Sequence, residues 1–162
     1  MGYLPSYYEK ETLILGCGNI LFGDDGFGPA VVDYINNHCR VPDFAEVLDV
    51  GTGVRKLLFD IIVAEKRPKK LVIIDALDCG HKAGEVFMAT VEQIPAKKIN
   101  DFSLHLMPTI NMLKEVRDLC GVEVHIVAAQ PKSIPDTAEE GLSVEIEKAV
   151  KEAAEYACKN YL

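Results

Sequence analysis

The sequence predicts a three-layer α/β domain, a mostly parallel sheet with helices on both faces. Two observations carry this. Short apolar runs alternate with amphipathic stretches along the whole chain, as repeated βα units require. The run Leu71–Asp75 (LVIID) shows no polar alternation before its last residue, which suits a central strand covered on both faces. The 162 residues, 49% of them hydrophobic, are enough for one core. Nothing repeats and no linker divides the chain, so a single domain over residues 1–162 is expected.

The elements follow in order. Thr12–Cys17 (TLILGC) reads as the first strand, turning through Gly16, Gly18 and Asn19. Gly28–Cys39 reads as a helix with Val31, Val32 and Ile35 on its apolar face. Ala45–Val50 is a second strand ended by Gly51-Thr52-Gly53, and Leu57, Leu58, Ile61 and Ile62 then mark one side of a helix. Leu71–Asp75 follows, then a short strand within Gly84–Val91 whose direction the pattern leaves open. Ser103 can cap a helix from about Leu104 to Leu119, with Pro108 tolerated near its first turn. Val122–Ala128 is a further strand. Ser143–Tyr161 closes the chain as a helix with Val144, Ala149, Ala153 and Tyr156 among its inward candidates.

Composition excludes several classes. A net charge of −8 argues against nucleic acid and against an acidic membrane surface. No apolar run approaches the ~20 residues that span a bilayer, and the opening residues lack the pattern of a signal peptide. The five cysteines, Cys17, Cys39, Cys79, Cys120 and Cys158, are odd in number and widely spaced, which indicates neither a disulfide framework nor a zinc ribbon. The cytosol is the expected compartment.

Ligands of an open α/β sheet gather beyond the carboxyl ends of its strands. Three segments place chemistry there. Gly16–Gly28 (GCGNILFGDDGFG) leaves the first strand and enters the first helix. A dinucleotide fingerprint would need glycine where Leu21 stands, and no G-x-x-x-x-G-K-[ST] occurs, so nucleotide phosphates are not its ligand. Asp24 and Asp25 could serve only to start the helix, stabilised by its dipole at ~0.3–1 kcal/mol. Asp75 ends a buried strand, where a carboxylate is costly unless paired, hydrogen-bonded or bound to metal. Asp78 lies further into the following loop and reads as a turn residue. His105 opens the helix after Ser103; alone, such a histidine is more often an exposed or satisfied residue, as His38, His81 and His125 are expected to be at a helix end, in a hydrophilic turn and in a strand interior. Together one carboxylate of the Asp24-Asp25 pair, Asp75 and His105 can make a three-ligand set with open positions for substrate or water. Carboxylate and imidazole suit several divalent metals, so residue chemistry does not choose among them. No Ser-His-Asp or Cys-His arrangement is legible, and G-x-S-x-G is absent.

The chain also resembles a known family. GCGNILFGDDGFG is similar to the opening signature of hydrogenase maturation endopeptidases. The likeness continues through Asp49–Gly53, through Ile73–Gly80 (IIDALDCG), through Ser103–His105, and through Gln130-Pro131 followed by Gly141–Ser143. Any one of these is weak, whereas five in the correct order are specific. Val50 departs from the pattern, standing where glycine is usual.

The resemblance implies a twisted, mostly parallel five-stranded sheet with helices on both faces. It implies that Asp25, Asp75 and His105 contact a metal and form the catalytic site. It further implies an endopeptidase that trims a C-terminal extension from the large-subunit precursor of a nickel–iron hydrogenase after nickel insertion. The nickel would be carried by that client rather than held by the free enzyme. Lewis-acid activation by the metal and an aspartyl-type general base both remain open at this point. Tyr7-Tyr8-Glu9-Lys10 and the Cys-Gly-Asn turn resemble the subtype serving a deazaflavin-coenzyme-reducing hydrogenase. The rival reading is a non-catalytic chaperone that binds the metallocentre with the same ligands.

Overall fold

The computed structural model describes residues 6–95 and 106–162, with the side chains of Ser6, Tyr8 and residues 106–109 left aside. Five strands form one sheet: β1 (Thr12–Cys17), β2 (Ala45–Gly51), β3 (Lys70–Ala76), β4 (Val86–Ala89) and β5 (Glu123–Ala129). Their order is β2-β1-β3-β5-β4. β1, β2, β3 and β5 are mutually parallel, and β4 runs antiparallel to β5. That settles the direction the sequence left open. β4 follows β3 by a reversal at the carboxyl edge and leaves a gap in the sheet that β5 later fills, pairing with both.

Four helices cover the faces: α1 (Phe27–His38), α2 (Val54–Val63), α3 (Leu106–Asp118) and α4 (Val144–Tyr161). Side chains alternate across each strand, and the two faces therefore collect different residues. Ile14, Val72, Ile74 and Val127 pack under α1 and α4 with Phe27, Val31, Ile35, Ile146 and Ala153. Leu13, Leu15, Leu71, Ile73 and Ile126 pack under α2 and α3 with Leu58, Ile61, Leu113 and Val116. Every residue of β1 is buried, as befits a strand with neighbours on both sides and helices on both faces. Truncating Ile14 or Ile74 to alanine in such a core costs ~2–5 kcal/mol.

Several expectations are corrected. α1 begins at Phe27, one residue earlier than expected, preceded by a 3-10 turn over Gly23–Gly26. α4 begins at Val144, one residue later than expected, with Ser143 as its cap accepting from the Ile146 N–H at 3.3 Å. The inward face of that helix is Ile146, Ala149, Val150, Ala153, Ala154, Ala157 and Tyr161; Val144 and Tyr156 are exposed. The apolar stripe is in phase with Ile146, and Val144 and Tyr156 fall off it. Cys39 and Cys158 form a disulfide, contrary to the reading that none was indicated. Cys39 caps α1 and Cys158 lies in the last turn of α4, and packing of the two helices brings together positions 119 residues apart. The proposed cap Ser103 lies outside the described residues. Among the described residues, no helix is long and apolar enough to cross a membrane.

Candidate active site

The chain runs from β1 outward to β2, then returns to lay β3 on the other side of β1. The crevice between the carboxyl ends of β1 and β3 is thus the point where the winding reverses, and open α/β sheets bind their ligands there. Asp75 is the penultimate residue of β3, half-buried, just past the Gly16–Ile74 pair that joins β3 to β1. Asp25 lies in the 3-10 turn that follows β1, also half-buried.

Two glycines bring the Asp25 turn onto this crevice. Gly28, in the first turn of α1, packs so closely that a Cβ would collide with the carbonyl oxygens of Cys17 and Ile74. The start of α1 is thereby seated across the ends of both strands. Gly18 adopts φ 133°, outside the reach of most L-residues, and a Cβ there would strike the Asp25 carbonyl oxygen. The backbone then folds back far enough for the Asn19 N–H to donate to Asp25 Oδ2 at 2.8 Å. Asn19 Oδ1 accepts from the Leu21 N–H at 3.0 Å, an Asx turn that leaves Ile20 and Leu21 exposed beside the site.

Asp24 does something the sequence did not disclose. Read as a helix-start residue, it is instead 1% exposed. Its Oδ1 accepts from the Ser143 N–H at 2.7 Å. Its Oδ2 accepts from the Ser143 hydroxyl at 2.9 Å and from the backbone N–H groups of Lys132 and Ser133 at 2.8 and 3.3 Å. These charge-assisted bonds compensate the burial of the carboxylate.

Gln130 plays the matching part on the loop after β3. Its Oε1 accepts from the Cys79 and His81 N–H groups at 2.9 and 3.1 Å, and its Nε2 donates to Asp78 Oδ1 at 2.9 Å. Asp78 is therefore a loop tie, in keeping with its reading as a turn residue. Burial, then the adjacent Asp78 carboxylate, push the Cys79 thiol above its ordinary value, which makes it a poor nucleophile.

The departure at Val50 has a local explanation. Pairing of β1 with β2 shifts register between Gly16 and Cys17, so that Gly16 faces Asp49 while Cys17 faces Gly51. Val50 is the extra residue of this bulge, and the left-handed conformation falls on Gly51 at φ 51°.

His105 lies outside the described residues. α3 starts immediately after it, and Asn111 and Met112 of α3 line the same surface hollow as Gly53 and Arg55, which follow β2. The Val122 N–H donates to the Val116 carbonyl just before β5 begins, so α3 ends at the amino edge and its N-terminal half lies towards the carboxyl side. His38 ends α1 with Nδ1 2.9 Å from the Tyr34 carbonyl, and His81 pairs with Glu85 at 3.0 Å while stacking on Phe87. His125 lies in β5, 3.0 Å from Glu123. Among the described residues, no group of three His, Cys, Asp or Glu side chains is gathered closely enough to hold a metal ion.

Known proteins bear on this geometry. The family model of the hydrogenase maturation protease HycI matches residues 29–160. A provisionally named hydrogenase maturation protease of Methanocaldococcus jannaschii is 36% identical over 149 residues, covering 91% of this chain and 94% of that protein. The coenzyme F420 hydrogenase subunit delta of Methanothermobacter thermautotrophicus is 30% identical over 150 residues, covering 90% and 91%. Among solved structures, the hydrogenase maturating endopeptidase HybD of Escherichia coli superposes with a TM-score of 0.72 at 28% identity, covering 91% of this chain and 89% of that one. Fold, chain-long sequence likeness and family match agree: the chain belongs to the hydrogenase maturation protease family.

Proposed function

We propose that this endopeptidase removes a C-terminal extension from the nickel-loaded large-subunit precursor of a nickel–iron hydrogenase, acting through Asp25, Asp75 and His105. The observation that carries the reading is the placement of Asp25 and Asp75 on either side of the β1/β3 crevice. Two carboxylates at such a point offer hard oxygen donors to a divalent ion, and His105 adds a borderline nitrogen donor. Three protein ligands leave positions for groups that the client brings. The nickel is thus part of the substrate, and it marks a precursor as ready to be cut.

The carboxylates orient the scissile peptide against this ion and accept the proton of the attacking water, an aspartyl-type role. The ion can also polarise the carbonyl. The likeness to a coenzyme F420 hydrogenase subunit supports a client that reduces a deazaflavin coenzyme. We place the reaction in the cytoplasm. A Cys39–Cys158 disulfide is uncommon in a reducing compartment, so thiol trapping in fresh cell extract tests the placement.

The function is tested with nickel-loaded and nickel-free precursor side by side, and with metal analysis of the purified enzyme. The expected result is cleavage of the loaded form alone by an enzyme that is largely metal-free, with discrimination arising from differential binding. A tightly held stoichiometric metal with equal cleavage of both forms would contradict the substrate-delivered scheme. Binding of loaded precursor without any mass loss would restore the chaperone reading.

A further inference from the structure

The Asp25 turn is laced to a distant segment of the chain, Pro131–Ser143, by two independent devices. The first is backbone pairing at Glu139, whose N–H donates to the Leu21 carbonyl and whose carbonyl accepts from the Gly23 N–H, both at 2.8 Å. The second is the buried Asp24 carboxylate, which gathers the Lys132 and Ser133 N–H groups at one end of the segment and both donors of Ser143 at the other. Ser143 is engaged twice: its Oγ donates to Asp24 and accepts from Ile146 N–H at the start of α4. A helix that packs on the sheet is thereby coupled, through one hydroxyl, to the residue preceding Asp25. Lys132 also pairs with Glu145 of α4 at 3.0 Å on the surface.

We propose that Asp24 is a positioning residue for the reaction: its buried carboxylate fixes the 3-10 turn so that the neighbouring Asp25 carboxylate faces the β1/β3 crevice. This rests on the assignment of Asp25 under the proposed function. The physical argument is one of chain length. Asp24 and Asp25 are consecutive in a four-residue turn, so while the Asp24 carboxylate keeps its donors a backbone rotation of the turn that would swing Asp25 is resisted. The turn has no side-chain N-cap of its own. Its orientation is therefore held from outside, by the Glu139 pairing at its start and by the donors that Asp24 gathers next to Asp25, and a displacement of about 1 Å at a reacting group can cost ~100-fold in rate.

Asp24→Asn tests this, because the amide cannot accept from donors on both sides: its NH₂ must face either the Ser143 N–H or the three donors at Oδ2. Turnover of nickel-loaded precursor is measured well below each variant's unfolding temperature, beside Ile35→Val as a core control of matched stability loss. The expected result is a ~100-fold fall in kcat with KM changed less than about threefold, while Ile35→Val keeps wild-type kcat. Should Asp24→Asn fail to fold, Ser143→Ala is expected to lower kcat and Ser143→Thr, which keeps the hydroxyl, to restore most of it. Wild-type kcat in folded Asp24→Asn, or equal kcat in Ser143→Ala and Ser143→Thr, overturns the inference. Asp25→Ala, assayed in parallel, separates the two levels: full activity there sinks the underlying site assignment, whereas loss there with an unaffected Asp24→Asn sinks the positioning role alone.

Discussion

At the amino edge of the sheet the ties face solvent: Lys69 pairs with Glu11 at 2.8 Å, and Arg117 at the end of α3 pairs with Glu92 at 2.8 Å. The Cys39–Cys158 disulfide closes the ends of α1 and α4 on the same side. At the carboxyl edge the ties are buried polar knots, Asp24 for the loop after β1 and Gln130 for the loop after β3. Exposed ion pairs are screened and flexible, each worth well under ~1 kcal/mol. A buried group with all its partners in place orders a loop more sharply, because losing one partner leaves the others unsatisfied. Under the proposed function the difference has a reason: the amino edge needs only to stay closed, whereas the carboxyl edge would have to hold Asp25 and Asp75 in place.

The largest effect should come from Asp75→Asn at the carboxyl edge. The amide keeps the shape but is a poorer ligand and cannot act as a base, so processing should fall by ~100-fold or more while the variant stays folded. Strong destabilisation with activity retained per folded molecule would make Asp75 a structural hydrogen-bonding residue instead. Removing the disulfide with Cys39→Ser and Cys158→Ser together should cost about 2–4 kcal/mol in denaturant unfolding and leave the rate of processing untouched. A lost rate in the folded double variant would break the division between the edges. Gln130→Ala should cost ~1–3 kcal/mol by leaving the Cys79 and His81 N–H groups unpaired, with faster amide exchange confined to the Asp78–Gly84 loop. Uniform exchange across the molecule would show that Gln130 is no local knot.

The smallest effect concerns pH at the amino edge. The Arg117 side chain donates to Glu92 and holds its carboxyl down from an ordinary 4.5 to about 2. A depressed carboxyl contributes stability that is present above pH ~4.5 and lost as pH falls towards ~2. Glu92→Gln should therefore flatten the acid slope of stability in that window and lower stability slightly at neutral pH, where the wild-type pair is fully charged. An unchanged slope would mean that the pair does not form in solution.

Much of the fold was legible because it is written in local pattern. β1 and β3 are unbroken apolar runs, and the i, i+1, i+4, i+5 spacing of Leu57, Leu58, Ile61 and Ile62 places the core side of α2 without reference to anything distant. The position of Asp25 and Asp75 at the carboxyl edge was legible for a related reason, since each stands where a strand or helix boundary forces a loop to the same edge. What stayed hidden was set by partners far along the chain. Asp24 and Ser143 are 119 residues apart, and so are Cys39 and Cys158. No spacing rule announces either contact; only the packing of α1 against α4 creates them. Gln130 appeared only as part of a familiar dipeptide, because its amide works on a loop about 50 residues away. The outward turn of Val144 and Tyr156 reflects a different gap, a helix stripe whose phase is decided by Ile146 and the alanines rather than by the largest side chains.

The central claim is that peptide cleavage takes place at the carboxyl edge through Asp25. The most direct measurement is the intact mass of nickel-loaded large-subunit precursor after incubation with the wild-type chain, with Asp25→Ala and with His105→Ala. The account predicts a single C-terminal mass loss with the wild type and none with either variant, each variant retaining the wild-type circular dichroism spectrum. Wild-type cleavage by folded Asp25→Ala would contradict it.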